Sequence, residues 1–201
     1  MATAVDSHVS AEIAAHLDRA TRVIGETVAA CSESIAEAAS RIAGSFRDGG
    51  KLLICGNGGS AAECQHLAAE FTHRLSSKVI RPALPAIALT TDTSLLTAYA
   101  NDCGFDGVFA RQVEALGRPG DVLLGLSTSG ASPNVLRATR AASERGMTTV
   151  ALMGATGPLR ELAEIAICIP SGDTQHIQEA HLPVLHLLCK LVEREFVMLA
   201  G

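Results

Sequence analysis

Residues 51–70 read KLLICGNGGSAAECQHLAAE. A short apolar run, KLLIC (51–55), ends in glycines and then gives way to a segment with helical spacing. An apolar run of this length that stops at glycine is the pattern of a buried parallel strand. Three glycines at the strand-to-helix turn let the backbone approach a ligand closely. Ser60 is placed to cap the following helix, predicted over Ser60–Leu75. A helix N-terminus with free N–H groups favours an anion. The same turn could also be a tight connection that holds nothing. It is neither the phosphate-loop pattern, which needs Gly-Lys-Ser/Thr, nor the dinucleotide GxGxxG pattern.

The alternation continues C-terminally. PAIAL (85–89) reads as a second strand, DVLLGL (121–126) as a third, TTVALM (148–153) as a fourth and IAICI (165–169) as a fifth. Helical segments fall between them near 94–100, 105–116, 134–145 and 159–163, and a long apolar helix is predicted over 177–199. Pro183 should kink that helix, because proline removes a backbone donor. N-terminally, Ile13, Leu17, Ile24, Val28, Ile35, Ile42 and Phe46 recur at helical steps, with a break expected at Cys31-Ser32. Gly49-Gly50 supplies the stop. Strand–helix alternation at this spacing predicts an α/β chain: a three-layer α/β/α sandwich around a five-stranded parallel sheet, flavodoxin- or Rossmann-like, preceded by N-terminal helices. One domain is expected over 1–201, with 1–48 a helical extension and 49–201 the α/β core. Ligands of such sheets bind beyond the C-terminal strand ends. The loops at 56–60, 90–93 and 127–132 should therefore share one pocket.

Composition narrows the function classes. The chain has 201 residues, 48% hydrophobic and 18% charged, with a formal net charge of -5. The absence of a basic run argues against nucleic acid as a partner. No stretch approaches a membrane span, and MATAVDSHVSAEI lacks the pattern of a secretory signal. Six cysteines with no CxxC pair suggest free thiols in a reducing cytoplasm. With no Trp and one Tyr, a polar ligand would be held by hydrogen bonds and charge rather than by stacking.

Three further constellations carry chemistry. Ser127, Thr128, Ser129 and Ser132 crowd the loop STSGAS (127–132) between a strand and a helix that begins at Pro133. Their hydroxyls and amides could ring a phosphate, or could simply cap the helix. His66 and Glu70, four apart on a helix, share one face and suit metal ligation or acid–base work. The alternative is a surface Glu beside a half-buried His. On the last helix the candidates are Gln178, Glu179, His181 and His186; Gln178 and His186 are eight apart, about 80° around an ideal helix. Its apolar surroundings predict a buried His186 needing a partner. His8, His16, His73 and His176 are expected to face solvent. Asp92, Asn101 and Asp102 are expected on loops that could read sugar hydroxyls. Nothing marks Cys55 or Cys64 as a nucleophile.

Taken in order, CGNGGSA (55–61), QHLAAEF (65–71), RPALPAIAL (81–89), ANDCGF (100–105), GDVLLGLSTSGAS (120–132) and IQEAH (177–181) with His186 resemble the sugar isomerase (SIS) superfamily, specifically the phosphoheptose isomerase family. The resemblance implies a homotetramer, with residues 1–48 used in oligomerisation and active sites at subunit interfaces. It implies one zinc ion (Zn2+) per active site, held by His66, Glu70, Gln178 and His186. Substrate contacts would map to Asn57, Gly58, Gly59, Glu70, Asn101, Asp102, Ser127, Thr128, Ser129, Ser132 and Gln178. The implied reaction converts D-sedoheptulose 7-phosphate to D-glycero-D-manno-heptose 7-phosphate through an enediolate, with Glu70 and His186 catalytic, as the entry to nucleotide-activated heptose and lipopolysaccharide. Before IQE the family often carries a small residue and then Arg; here Gln175 and His176 stand there, and LSSKVI (75–80) also looks variable. The rival is a non-enzymatic SIS protein that binds the DnaA replication initiator. That group lacks counterparts of Glu70 and His186, so their presence favours the enzyme. A SIS sugar-phosphate sensor would need a DNA-binding module for which this chain has no room. Another phosphosugar isomerase or an etherase differs only in pocket shape.

Overall fold

The computed structural model describes residues 6–197. The chain runs α1 (Ser7–Arg47), β1 (Leu52–Cys55), α2 (Gly59–Thr72), β2 (Ala86–Ala88), α3 (Thr93–Cys103), a 3-10 turn at Phe105–Gly107, α4 (Val108–Leu116), β3 (Val122–Ser127), α5 (Pro133–Glu144), β4 (Thr148–Met153), α6 (Leu159–Leu162), β5 (Ile165–Cys168) and α7 (Thr174–Glu193). The five strands form one all-parallel sheet in the order β2-β1-β3-β4-β5. The direction of winding reverses between β1 and β3, and in doubly wound sheets that crevice is where ligands bind.

Helices cover both faces, and the strands show why. Leu52, Ile54, Leu124, Leu126 and Leu152 pack with α1, α2 and α7 on one side. Leu53, Cys55, Leu123, Ala151 and Met153 pack with α4, α5 and α6 on the other. Successive strand residues point to opposite faces, so a sheet buried on both sides reads as a continuous apolar run. This is the three-layer α/β/α sandwich that the alternation predicted.

The N-terminal segment is a single helix of 41 residues with no break at Cys31-Ser32. Cys31 is buried there and its thiol donates to the Cys168 carbonyl. Ser32 satisfies its hydroxyl on the Val28 carbonyl one turn back, which a continuous helix allows. From Ala20 onward α1 buries one side on the core, but Val9, Ile13, Leu17, Ile24 and Val28 stay exposed. α7 begins three residues before the predicted start, at Thr174, because the Asp173 carboxylate caps it by accepting from the Gln175 amide. It runs through Pro183 to Glu193. The part of the predicted helix at 198–199 lies outside the described residues. Ser60 does not cap α2; it lies inside the helix and Gly58 takes the cap position. Asn101 and Asp102 sit on the last turn of α3, not on a loop. No described helix is long and apolar enough to cross a membrane.

Candidate active site

α2 and α7 pack with their numbers rising together, and polar side chains meet between them in three successive rungs. At the first, a Cβ on Gly59 would stand 2.6 Å from Gln178 Nε2, so any side chain there would displace that amide. At the second, His181 Nδ1 lies 3.3 Å from Glu63 Oε2, and the His181 ring is wholly buried. At the third, His66 Nε2 lies 3.0 Å from Glu70 Oε1, His186 Nε2 lies 3.3 Å from the same oxygen, and the two ring nitrogens are 3.0 Å apart.

The third rung brings a carboxylate and two imidazoles together within one chain. Its burial inverts the expectation. Glu70 is buried, whereas the side chains of His66 and His186 are 46% and 42% exposed. His186 turns its ring outward from the flank of α7, and the buried histidines of that helix are His176 and His181. Glu70 Oε2 is closed from solvent and has no hydrogen-bond partner. That burial raises the Glu70 carboxyl above its ordinary range, against the opposing pull of His186 and His66. A carboxylate of raised proton affinity, with its other oxygen facing two imidazoles, is equipped for proton transfer.

Two ligands of a tetrahedral zinc, each bonded at about 2.0–2.1 Å, stand roughly 3.3–3.4 Å apart. The three atoms here are separated by 3.0–3.3 Å, so His66, Glu70 and His186 fit such an ion with little adjustment. Gln178 faces Gly59 instead, about 12 Å of helix rise from His186, so a single chain does not bring it to the trio.

Arg81 anchors this end of α2. Its fully buried guanidinium donates to the Glu70, Phe71 and Pro82 carbonyls and to the Glu193 carboxylate on α7, at 2.8 Å for the ion pair. Sequence reading missed Arg81. The available signal was an arginine at the head of RPALPAIAL, just before a buried strand.

The glycine and serine loops meet at the β1/β3 crevice. Asn57 and Asn134 exchange side-chain hydrogen bonds of 2.9 and 2.8 Å, tying the first loop to α5. Asn134 was also missed; it is buried directly after Pro133. Ser127 Oγ lies 2.9 Å from Ser132 Oγ and 3.5 Å from Ser129 Oγ. Thr128 is half-buried, and its carbonyl accepts from Gly154 N–H. Three hydroxyls close together at the start of a helix are chemically suited to an anion without a cation. Thr90 ties the 90–93 loop to α2: it accepts from Gln65 and donates to the Ala61 carbonyl. Asn101 and Asp102 are exposed, bonded to each other at 2.8 Å, and touch none of these groups. Cys55 and Cys64 are buried, and burial pushes the Cys55 thiol up to about 12 and Cys64 well above its usual value. Neither is a nucleophile near neutral pH.

Gly130 fixes the serine loop. Its φ is +61°, and a Cβ there would lie 2.8 Å from the Thr156 carbonyl oxygen and 2.3 Å from Met153. Gly130→Ala is expected to cost about 2–4 kcal/mol, combining left-handed backbone strain with overpacking against main chain. A urea melt checks this, and a cost below about 1 kcal/mol would show that the loop yields.

The SIS domain family matches residues 15–154. The phosphoheptose isomerase of Roseiflexus sp. (strain RS-1) is 54% identical over 184 residues, covering 91% of this chain and 90% of that protein. That of Chlorobaculum parvum is 58% identical over 164 residues, covering 81% and 78%. Among solved structures, phosphoheptose isomerase from Neisseria gonorrhoeae superposes with a TM-score of 0.87 at 42% identity, covering 92% of this chain and 99% of that one. The Francisella tularensis enzyme gives 0.88 at 36%, covering 92% and 98%. The chain belongs to the phosphoheptose isomerase family of SIS-domain proteins, and it is an isomerase.

Proposed function

We propose that this chain converts D-sedoheptulose 7-phosphate to D-glycero-D-manno-heptose 7-phosphate in the cytoplasm, as the first step toward nucleotide-activated heptose and lipopolysaccharide. The observation that carries the reading is Glu70: a buried carboxylate of raised proton affinity, flanked by two imidazoles, on a helix that starts at the anion-binding crevice.

Aldose–ketose exchange needs a base that moves a proton between C1 and C2, and a second group that moves protons at the oxygens. Glu70 Oε1 is the base, because Oε2 is sealed away from any reacting atom. His186, half-exposed and in contact with Oε1, exchanges protons at the oxygens. Ser127, Ser129 and Ser132 hold the phosphate. His66 lies seven residues along α2 from Gly59, about 10 Å of helix. A seven-carbon chain held by its phosphate at one end can present its carbonyl end at the other. Fixing both ends is what makes the proton transfer effectively intramolecular. Gln178 and the backbone of Gly58 and Gly59 lie between, where sugar hydroxyls pass. Asn101 and Asp102 are proposed to contact sugar from a neighbouring subunit.

His66, Glu70 and His186 are proposed to hold zinc, Glu70 Oε1 being released from the ion when it acts as base, with Gln178 completing the set only across a subunit boundary. Bound there, a divalent ion would stabilise negative charge developing on the sugar oxygens. The homotetramer is likewise a proposal. It is supported by the exposed apolar stripe of Val9, Ile13, Leu17, Ile24 and Val28 on α1 and by α3, which buries no residue in the single chain.

Heptose-phosphate interconversion assayed before and after chelation tests the reading. Chelation is expected to remove activity and zinc to restore it. His186→Ala is expected to lower kcat by roughly 10²-fold or more while leaving the fold intact, since the ring is half-exposed. Full activity of the chelated protein would remove the metal from the proposal; full activity of the variant would remove His186.

A further inference from the structure

Away from this site, one other group of metal-ligating side chains comes together among the described residues: His16 on α1 with His176 and Glu179 on the first turns of α7. Glu179 stands between two imidazoles. Its Oε1 is 2.7 Å from His16 Nε2 and its Oε2 is 2.8 Å from His176 Nδ1. The two rings are 4.8 Å apart, centroid to centroid, and the three candidate ligand atoms all lie within 4.8 Å of one another.

Several features separate this cluster from a chance surface contact. His176 and Glu179 are three residues apart, so one turn of helix presents both, and the His176 side chain is only 6% exposed. The third member arrives from another element 160 residues away in sequence. Residues 7–19 of α1 bury nothing in the chain, and among the described residues the His16–Glu179 contact is their sole side-chain hydrogen bond to any other element. A surface cavity of about 320 Å³, lined by Arg19, Arg22, Val23, Ser171, Gly172, Asp173 and His176, opens beside the cluster. It gives a water molecule room to complete a coordination shell. Arg19 and Arg22 on its wall oppose a cation there; Asp173 offsets one of the two, and the Glu179 carboxylate the other.

We propose that His16, His176 and Glu179 hold a second divalent transition-metal ion, which clasps the first half of α1 to the start of α7. Two imidazoles and one carboxylate are a borderline donor set, suited to zinc and its neighbours rather than to magnesium or calcium. The ion replaces the protons now shared between Glu179 and the rings, so each imidazole turns a lone pair toward it. The role is structural. It ties down a part of α1 that buries nothing within the single chain, and it is independent of the proposed catalysis.

The test is zinc stoichiometry on the full-length chain, stripped by chelator and titrated back, for the wild type, His16→Ala and His66→Ala. His16 lies on a half-exposed helix face and alanine is a strong helix former, so His16→Ala should fold. The wild type is expected to bind two equivalents per chain and each variant one. Zinc should slow hydrogen exchange across residues 7–24 in the wild type and in His66→Ala, and not in His16→Ala. If His16→Ala binds as many equivalents as the wild type, the second site does not exist. Loss of an equivalent in His66→Ala alone would leave the catalytic metal standing and overturn this one.

Discussion

Replacing Glu70 by glutamine should lower kcat for heptose-phosphate isomerisation by roughly 10³-fold or more, toward the upper end of what one positioned acid–base group supplies. The amide keeps the shape and the hydrogen bonds to His66 or His186, but it cannot accept a carbon-bound proton. KM should change far less, because the proposed phosphate cradle of Ser127, Ser129 and Ser132 lies at the far end of α2, away from Glu70. The stability change should run the other way. Burial raises the folded-state carboxyl above its unfolded value, so the folded chain binds the proton more readily than the unfolded one. The stabilisation associated with that proton is fully present at low pH and is lost as pH rises from the ordinary glutamate range through the raised folded value. Near pH 7 in metal-free protein, the ionised Glu70 is a net cost that glutamine removes. Metal-free Glu70→Gln should therefore melt no lower than wild type at pH 7, while its activity is nearly absent. More than a tenth of wild-type kcat in the variant would take the base role from Glu70.

The parts of the site that could be read from sequence are those set by spacing along one element. The strands lie within a residue or two of their predicted places because a sheet buried on both faces demands unbroken apolar runs, and glycine or proline marks the ends. His66 and Glu70 share a face because four residues make just over one helical turn. Burial was not legible in the same way. The reading that LPVLHLLCKLV would bury His186 treated the helix as apolar all round. α7 instead turns Val184, Leu185 and Leu188 to the core and leaves Leu182, Leu187 and half of His186 outside. His176, expected at the surface, is buried because α1 crosses over it, and a contact between residues 16 and 176 leaves no periodic trace. Gln178 shows the same limit. An 80° offset on a helix says that two side chains can share a quadrant, but not which rung of a neighbouring helix each will meet.

Arg81→Ala should be the most damaging single change to the fold, costing about 3–5 kcal/mol. That is a large fraction of the roughly 5–15 kcal/mol that holds a domain of this kind together. The guanidinium is fully buried and four acceptors converge on it: the last carbonyls of α2 at Glu70 and Phe71, the Pro82 carbonyl, and the Glu193 carboxylate. Cations at a helix C-terminus satisfy orphan carbonyls, and here the same cation also bonds α7. Alanine leaves Glu193, 3% exposed, with one remaining donor, the Leu75 amide, and an uncompensated buried charge. The damage should come mainly from that stranded carboxylate rather than from the lost attraction. The double variant Arg81→Met/Glu193→Met should consequently recover a good part of what Arg81→Ala loses, since replacing both members of a buried pair by apolar groups is often nearly neutral. Urea melts of the wild type, the single variant and the double variant separate the two accounts. A double variant as unstable as the single one would show that the carbonyls of α2, and not Glu193, are what Arg81 is needed for. In either case Glu70 loses the clamp that holds its turn of α2 against His186, so activity should fall in the single variant even under conditions where it remains folded.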